Sequence, residues 1–232
     1  IGAIHSFSFH NYVTLFTTPE LIDMIIGSIA LAIGSAVLAT ILGTTGAIGA
    51  FYSKKNVNGT MSVLNQIPVV NADVVTGFSL CILLVVVFGV SKNTYIPLVI
   101  GHTVLSAPFV YLAVVPKLKQ MDPSLYEAAL DLGATPGYTL IHIIIPQIAS
   151  GIISGFVMAV FFFLDDYFVA TYTKPATFDT ISTYVVNATK GSQTNIRTAL
   201  WALSTIIFLI VVIVEVVMNF APIKNEAQKE KH

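Results

Sequence analysis

The chain has 232 residues, of which 55% are hydrophobic and only 10% charged, with a mean hydropathy of +0.83. Soluble domains carry about a quarter charged residues, so a water-soluble globule is excluded and the natural unit becomes the membrane span of roughly 20 apolar residues. A formal net charge of −1, from 11 basic and 12 acidic residues, leaves no basic field for a nucleic acid and excludes polyanion binding.

Along the chain, Ile1 to Glu20 has neither a basic n-region nor a long apolar core, so it does not read as a signal peptide. With no initiator methionine, a further span is expected upstream of Ile1. After Pro19, residues 21–52 form the first predicted span, interrupted only by Asp23 and small polar residues. Ser28, Ala32, Ala36 and Ala39 or Thr40 recur there at spacings of three and four, a stripe of small residues that lets another helix approach. A polar turn with Lys54 and Lys55 follows, and then a second apolar run, 61–90, whose first half carries Asn65, Gln66, Pro68, Asn71 and Asp73. Cys81, the single cysteine, lies in that run and reads as a packing residue, with neither a disulfide nor a thiolate cluster open to it. A tight break at 91–95 leads to a third span, 96–115, containing His102. For an intramembrane histidine with no carboxylate near it in sequence, a hydrogen-bonded bundle residue is a better reading than a proton relay.

The segment 116–147 is far longer than a connection between spans requires. Asp122 or Ser124 can cap a helix there, Pro123 suits its first position, Ser124 and Glu127 have capping-box spacing, and Gly133 is the natural stop. Leu125, Ala128, Ala129 and Leu132 are expected to share one face, with Glu127 and Asp131 on another. Thr135 and Pro136 then restart a helix that runs to Pro146. Helices that lie on bilayers carry lysine-rich polar faces, whereas this one is acidic. It suits docking into a groove with basic residues on a partner protein.

The fourth predicted span, 148–167, contains the pair Gly151 and Gly155 and ends at Asp165, Asp166 and Tyr167. The fifth, 200–220, contains Glu215, which can snorkel from near its end. Seven of the eleven basic residues (Lys54, Lys55, Lys117, Lys119, Lys224, Lys229, Lys231) fall on one side of this topology. Four (Lys92, Lys174, Lys190, Arg197) fall on the other. The richer side, with the 53–60 turn, the 116–147 loop and the C-terminus, is expected to be cytoplasmic. The fold class that results is all-α: a polytopic membrane helix bundle of five spans in a single transmembrane domain over residues 1–232, with a cytoplasmic helix between the third and fourth spans.

Carboxylates within spans are costly, about 2.5 to 3.5 kcal/mol at a span centre, and normally face a bundle interior or a wet cavity. Asp73, in its cluster with Asn65, Gln66 and Asn71, suggests a water-lined path. Asp165 and Asp166, beside Phe161, Phe162, Phe163 and Tyr167, suit a cation with several ammonium groups through charge pairing and aromatic faces, or else end a helix at the interface. Motifs for chemistry are missing. There is no GxxxxGK[ST] phosphate loop, no HExxH and no GxSxG, so no nucleotide, zinc or nucleophile site is proposed in this chain and no enzyme activity is expected.

The run Glu127, Ala128, Ala129, three residues, Gly133, nine residues, Ile143, one residue, Ile145, Pro146 resembles the EAA motif of permease subunits of bacterial ATP-binding-cassette importers, departing from it only at Ile145, where the family usually has leucine. The resemblance extends from about Asn11 to the tail. With the LDD at Leu164 to Asp166, the wider pattern is most similar to the spermidine and putrescine permeases, and within them to the second of the two permease subunits, usually a six-span protein. It implies a multi-pass protein of the bacterial plasma membrane, among membrane lipids, with a second permease subunit, two ATPase subunits that bind the ATP and Mg, and an extracellular or lipid-anchored polyamine-binding protein. It also implies that Glu127, Ala128, Ala129, Asp131 and Gly133 belong to a coupling helix entering a cleft on the ATPase. Asp73, Asp165, Asp166 and Tyr167 are the expected substrate path. The rival readings are a proton-coupled secondary transporter of a cationic solute, or an importer permease for another small solute.

Overall fold

A computed structural model describes residues 16–122, 124–190, 203–210, 212, 213 and 216, and among these it contains helices and no strand. The helices are α1 (Pro19–Phe51), α2 (Lys55–Val70), α3 (Asp73–Ile82, continued by a π turn over Leu83–Val87), α4 (Ile96–Gln120) and α5 (Ser124–Asp131). They are followed by α6 (Pro136–Thr139, continued by a π turn over Leu140–Ile144), α7 (Ile145–Gln147), α8 (Ala149–Asp165), α9 (Phe168–Thr173) and α10 (Ile181–Lys190). Residues 203–210 are also helical. Two helices, α1 and α4, are singly long and apolar enough to cross a membrane. Two further candidates are bent pairs, one of Lys55–Val70 with Asp73–Val87 at 103° and one of Pro136–Gln147 with Ala149–Asp165 at 72°. Within the predicted fifth span, Glu215 lies outside the described residues, as do 200–202 and the C-terminal tail.

The chain divides into two compact units, residues 29–179 and residues 1–28 with 180–232. In the smaller unit, the Ile181 amide donates to Ser28 Oγ at 3.1 Å, and Thr180 hydrogen-bonds with Ser182 and Thr183 to open α10. In the larger unit, α4 is the central helix. Its Val110, Tyr111, Val114 and Leu118 form a buried core with Ala36, Ala39 and Ala47 of α1, Ile144 and Ile148 ahead of α8, and Ala159 of α8.

Small residues decide how close these helices come. The stripe Ser28, Ala32, Ala36, Ala39 is fully buried, while the opposite face of α1, with Ile29, Ile33, Val37 and Ile41, is exposed, as a lipid-facing surface requires. Gly151 and Gly155 sit on the α4 side of α8, where an added Cβ at 155 would lie 3.0 Å from the Cα of Val110. These stripes are therefore bundle packing.

The sequence run 61–90 reads as one span, but it breaks at Asn71 and Ala72, whose ψ values of 147° and 135° are extended. Pro68 has no amide to give to the carbonyl one turn earlier, which weakens the last turn of α2. The Asn71 side chain then reaches forward to Thr76 Oγ1 at 3.1 Å, holding the new helix across the bend.

Candidate translocation site and coupling surface

Each of the two helix breaks in the larger unit carries carboxylates. At the first, Asp73 occupies the first turn of α3, where a negative side chain is favoured by the helix dipole. At the second, α8 ends on Asp165, Asp166 follows in an extended conformation (φ −68°, ψ 122°), and α9 starts at Phe168. The carboxylate of Asp166 accepts the amides of Val169 at 3.3 Å and Ala170 at 2.8 Å, so its backbone break and its side chain together begin the next helix.

Both breaks open onto one cavity of about 250 Å³, walled by Pro68 and Val69 of α2, Asp73, Leu105 and Phe109 of α4, Phe162, Asp165, Asp166, Tyr167 and Phe168. All four residues expected on the substrate path, Asp73, Asp165, Asp166 and Tyr167, thus meet at one place although 92 positions separate the first from the second. Asp73 and Asp165 are exposed, and Asp166 is nearly buried. Phe109 and Phe162 stack at 4.1 Å to form an aromatic wall. The neighbouring Phe163 turns away, fully buried against His102 at a ring distance of 4.3 Å.

His102 changes standing. Sequence spacing shows no carboxylate near it, yet its Nε2 lies 3.3 Å from Asp166 Oδ2, within ion-pair range, while Nδ1 contacts the Leu98 carbonyl at 2.9 Å. The signal that could have found the pair is a polar residue in mid-span, which needs a partner and had to be matched to the few other intramembrane charges.

On the other side of the chain's connectivity, α5 spans Ser124–Asp131 as the capping pattern predicts. Asp122 accepts both the amide and the hydroxyl of Ser124, at 2.9 and 2.7 Å. Those two bonds hold the Asp122 carboxyl below its ordinary value, the backbone amide being the larger cause. Gly133 has φ +87° and stops the helix, with its amide donating to Leu130 O and that of Ala134 to Ala129 O. Thr135 then caps α6, accepting the Tyr138 amide at 3.4 Å.

The expected single apolar face of α5 is in fact divided. Ala129 is buried and Leu125 and Tyr126 pack against the core, whereas Ala128 is exposed and Leu132 is 89% exposed. A helix of eight residues advances about 100° per residue, so 125 and 129 fall to one side and 128 and 132 to the next. The outward side therefore presents Ala128 and Leu132 with Glu127 and Asp131. Tyr126 also contacts Tyr52, just beyond α1, at a ring distance of 4.9 Å, and burial followed by the proximity of Tyr126 raises the Tyr52 hydroxyl above its ordinary value.

Residues 43–221 match the family model described as binding-protein-dependent transport system inner membrane component. Among curated relatives, the spermidine/putrescine transport system permease protein PotC of Haemophilus influenzae is 29% identical over 94% of this chain and 83% of its own length. The putrescine transport system permease protein PotI of Escherichia coli K12 is 31% identical over 63% of this chain and 54% of its own. Among solved structures, the bacterial alginate ABC transporter in complex with a pentasaccharide-bound periplasmic protein superposes with a TM-score of 0.69 at 18% identity, over 90% of this chain and 82% of that one. An amino acid ABC transporter superposes at 0.62 and 16% identity, over 93% and 97%. The fold is that of transporter permeases, the matched model covers most of the sequence, and the chain belongs to the family of binding-protein-dependent transport system inner membrane components, multi-pass membrane proteins that act in transport and not as enzymes.

Proposed function

We propose that this chain is a permease subunit that moves polyamines, pairing with a second permease subunit, two ATPase subunits that bind ATP and Mg, and an extracellular or lipid-anchored polyamine-binding protein. The observation that carries the substrate is the single cavity where Asp73, Asp165, Asp166 and Tyr167 meet beside the Phe109 and Phe162 rings. Exposed carboxylates at its rim pair with ammonium groups, and aromatic faces accept the same cations. The relatives that transport spermidine and putrescine support this reading by name. The coupling surface is the outward side of α5, with Glu127, Ala128 and Asp131, set by the turn at Gly133 and anchored inward by Ala129. Under the basic-residue distribution, that surface and the C-terminus are cytoplasmic.

The test is uptake by the reconstituted complex with di-, tri- and tetra-amines, comparing wild type with Asp165→Asn. Loss of a charge-assisted hydrogen bond, worth roughly 1.5 to 3 kcal/mol, weakens binding about ten- to a hundredfold. Uptake per assembled complex that is unchanged for every amine would remove the polyamine assignment. A proton-coupled secondary transporter is favoured by one observation, the buried His102 and Asp166 pair. It predicts uptake by the chain alone without ATP, where the importer predicts a copurifying ATPase and strict ATP dependence.

A further inference from the structure

His102 touches neither the cavity nor solvent: it is fully buried in mid-α4, its ring covered by Phe163. Its Nδ1 lies 2.9 Å from the carbonyl of Leu98. A carbonyl only accepts, so Nδ1 carries a hydrogen. Its Nε2 then faces Asp166 Oδ2 at 3.3 Å. Without a further proton, two lone-pair acceptors would oppose each other, and a full negative charge would sit in a wall whose side chains are 0% and 6% exposed. One proton resolves this whether it resides on the imidazole or on the carboxyl, and in both forms the pair is electrically neutral.

We propose that His102 is a specificity-determining positioning residue that neutralises Asp166 by sharing one proton with it, so that this chain offers a cationic substrate two carboxylates, Asp73 and Asp165, and not three. Asp166 serves as a wall and helix-starting residue, held by His102 on one side and by the Val169 and Ala170 amides on the other. The other ionisable groups around the cavity are Asp73 of α3, Asp165 and Tyr167. The cation nearest in sequence, Lys174, pairs with Asp179 at 2.9 Å. The neutral pair thus keeps a third negative charge from adding to the two at the rim.

Two measurements on the assembled complex test this. The first needs no substrate and so stands apart from the polyamine reading: thermal unfolding of wild type, His102→Gln and His102→Gln/Asp166→Asn at pH 5 and pH 8. Glutamine fills the space and can donate to Asp166 but cannot share a titrating proton. The single variant should lose about 5 °C or more at pH 8, less at pH 5, where the carboxyl takes up a proton from solvent. The double variant, with both charges gone, should recover most of that loss. A loss that is the same at both pH values, or that persists in the double variant, would mean His102 only packs and would overturn the proposal. The second rests on the polyamine reading and compares the diamine-to-triamine uptake ratio. Asp73→Asn and Asp165→Asn should shift the ratio severalfold toward the diamine, and Asp166→Asn should leave it at the wild-type value. An Asp166→Asn ratio that moves with Asp165→Asn would show Asp166 to be a third substrate charge and sink the proposal even if His102→Gln fails to assemble.

Discussion

Gly43 of α1 lies directly against Ala107 of α4, so close that a methyl group added at position 43 would come within 2.7 Å of the Ala107 carbonyl oxygen and of Val110 Cβ. Backbone carbonyls cannot rotate away as side chains do, so the helices themselves must part. Gly43→Ala should destabilise the protein by about 1 to 3 kcal/mol, the usual range for an overpacked core. Gly34→Ala and Gly49→Ala, on the same helix with nothing within 4 Å of the new methyl, should be neutral or stabilising by about 0.5 to 1 kcal/mol, since alanine is the better helix former. Melting temperatures of the three purified variants check this, and a loss at all three would show that α1 tolerates no side chain for reasons unrelated to α4.

The Asp122 cap supplies a pH prediction. Its carboxyl is held below the ordinary value by the Ser124 amide and hydroxyl, so its contribution is fully present above about pH 3.8 and fades as pH falls through the depressed folded value. The first turn of α5 should therefore keep its amide protection between pH 5 and 8 and lose it only in strong acid. Hydrogen exchange at residues 124–127 measures this directly. Asp122→Asn, which still accepts a hydrogen bond, should remove the acid dependence, and Asp122→Ala should speed exchange at neutral pH.

What the sequence made legible follows from the range of each signal. Helix signals act over three or four residues, so the Asp122 and Ser124 cap, the Gly133 stop and the Thr135 restart were readable from local pattern alone, and the structure has each of them. The bend at Asn71 and Ala72 left a fainter trace. Pro68 announces a weak turn, but proline also occurs inside the straight run of α4 at 108 and 116, so its presence does not decide between a kink and a break. The partnership of His102 with Asp166 left none, because 64 positions separate them and only the approach of the α8–α9 break to mid-α4 brings them together. Likewise, hydrophobicity predicted an apolar face on α5 but could not tell Leu125, which the core takes, from Leu132, which it leaves outside.

Orientation is tested by single cysteines in a Cys81→Ser background. Ser53, between α1 and α2, and Gln120, at the end of α4, lie on the side that carries seven of the eleven basic residues. Both are expected to be cytoplasmic. Ser53→Cys and Gln120→Cys should resist an impermeant thiol reagent in intact cells and react after permeabilisation. Lys92→Cys, in the opposite turn, should be labelled in intact cells. Labelling of position 120 from outside would invert the topology and remove α5 from the ATPase side.

Coupling is tested at the turn that aims α5. Gly133 has φ +87° with nothing within 4 Å of where a Cβ would point, so a substitution there meets no clash and the whole penalty is backbone strain. For an ordinary L-residue that penalty is about 1 to 2 kcal/mol, rising for a β-branched one, whereas asparagine tolerates this region. Gly133→Val should shift the helix end and with it the outward set of Glu127, Asp131 and Leu132, while the chain still reaches the membrane because Leu125 and Ala129 keep their core contacts. The expected result is weaker ATPase copurification or hydrolysis that no longer responds to substrate, with Gly133→Asn close to wild type. Glu127→Lys acts on the same contact through charge alone, since the side chain is exposed and far from the cavity's lining residues. It should weaken ATPase association without altering which amine the residual complex prefers. If Gly133→Val and Glu127→Lys both couple normally, α5 is not the docking helix; if Glu127→Lys changes amine preference, the separation of coupling from substrate contact is wrong.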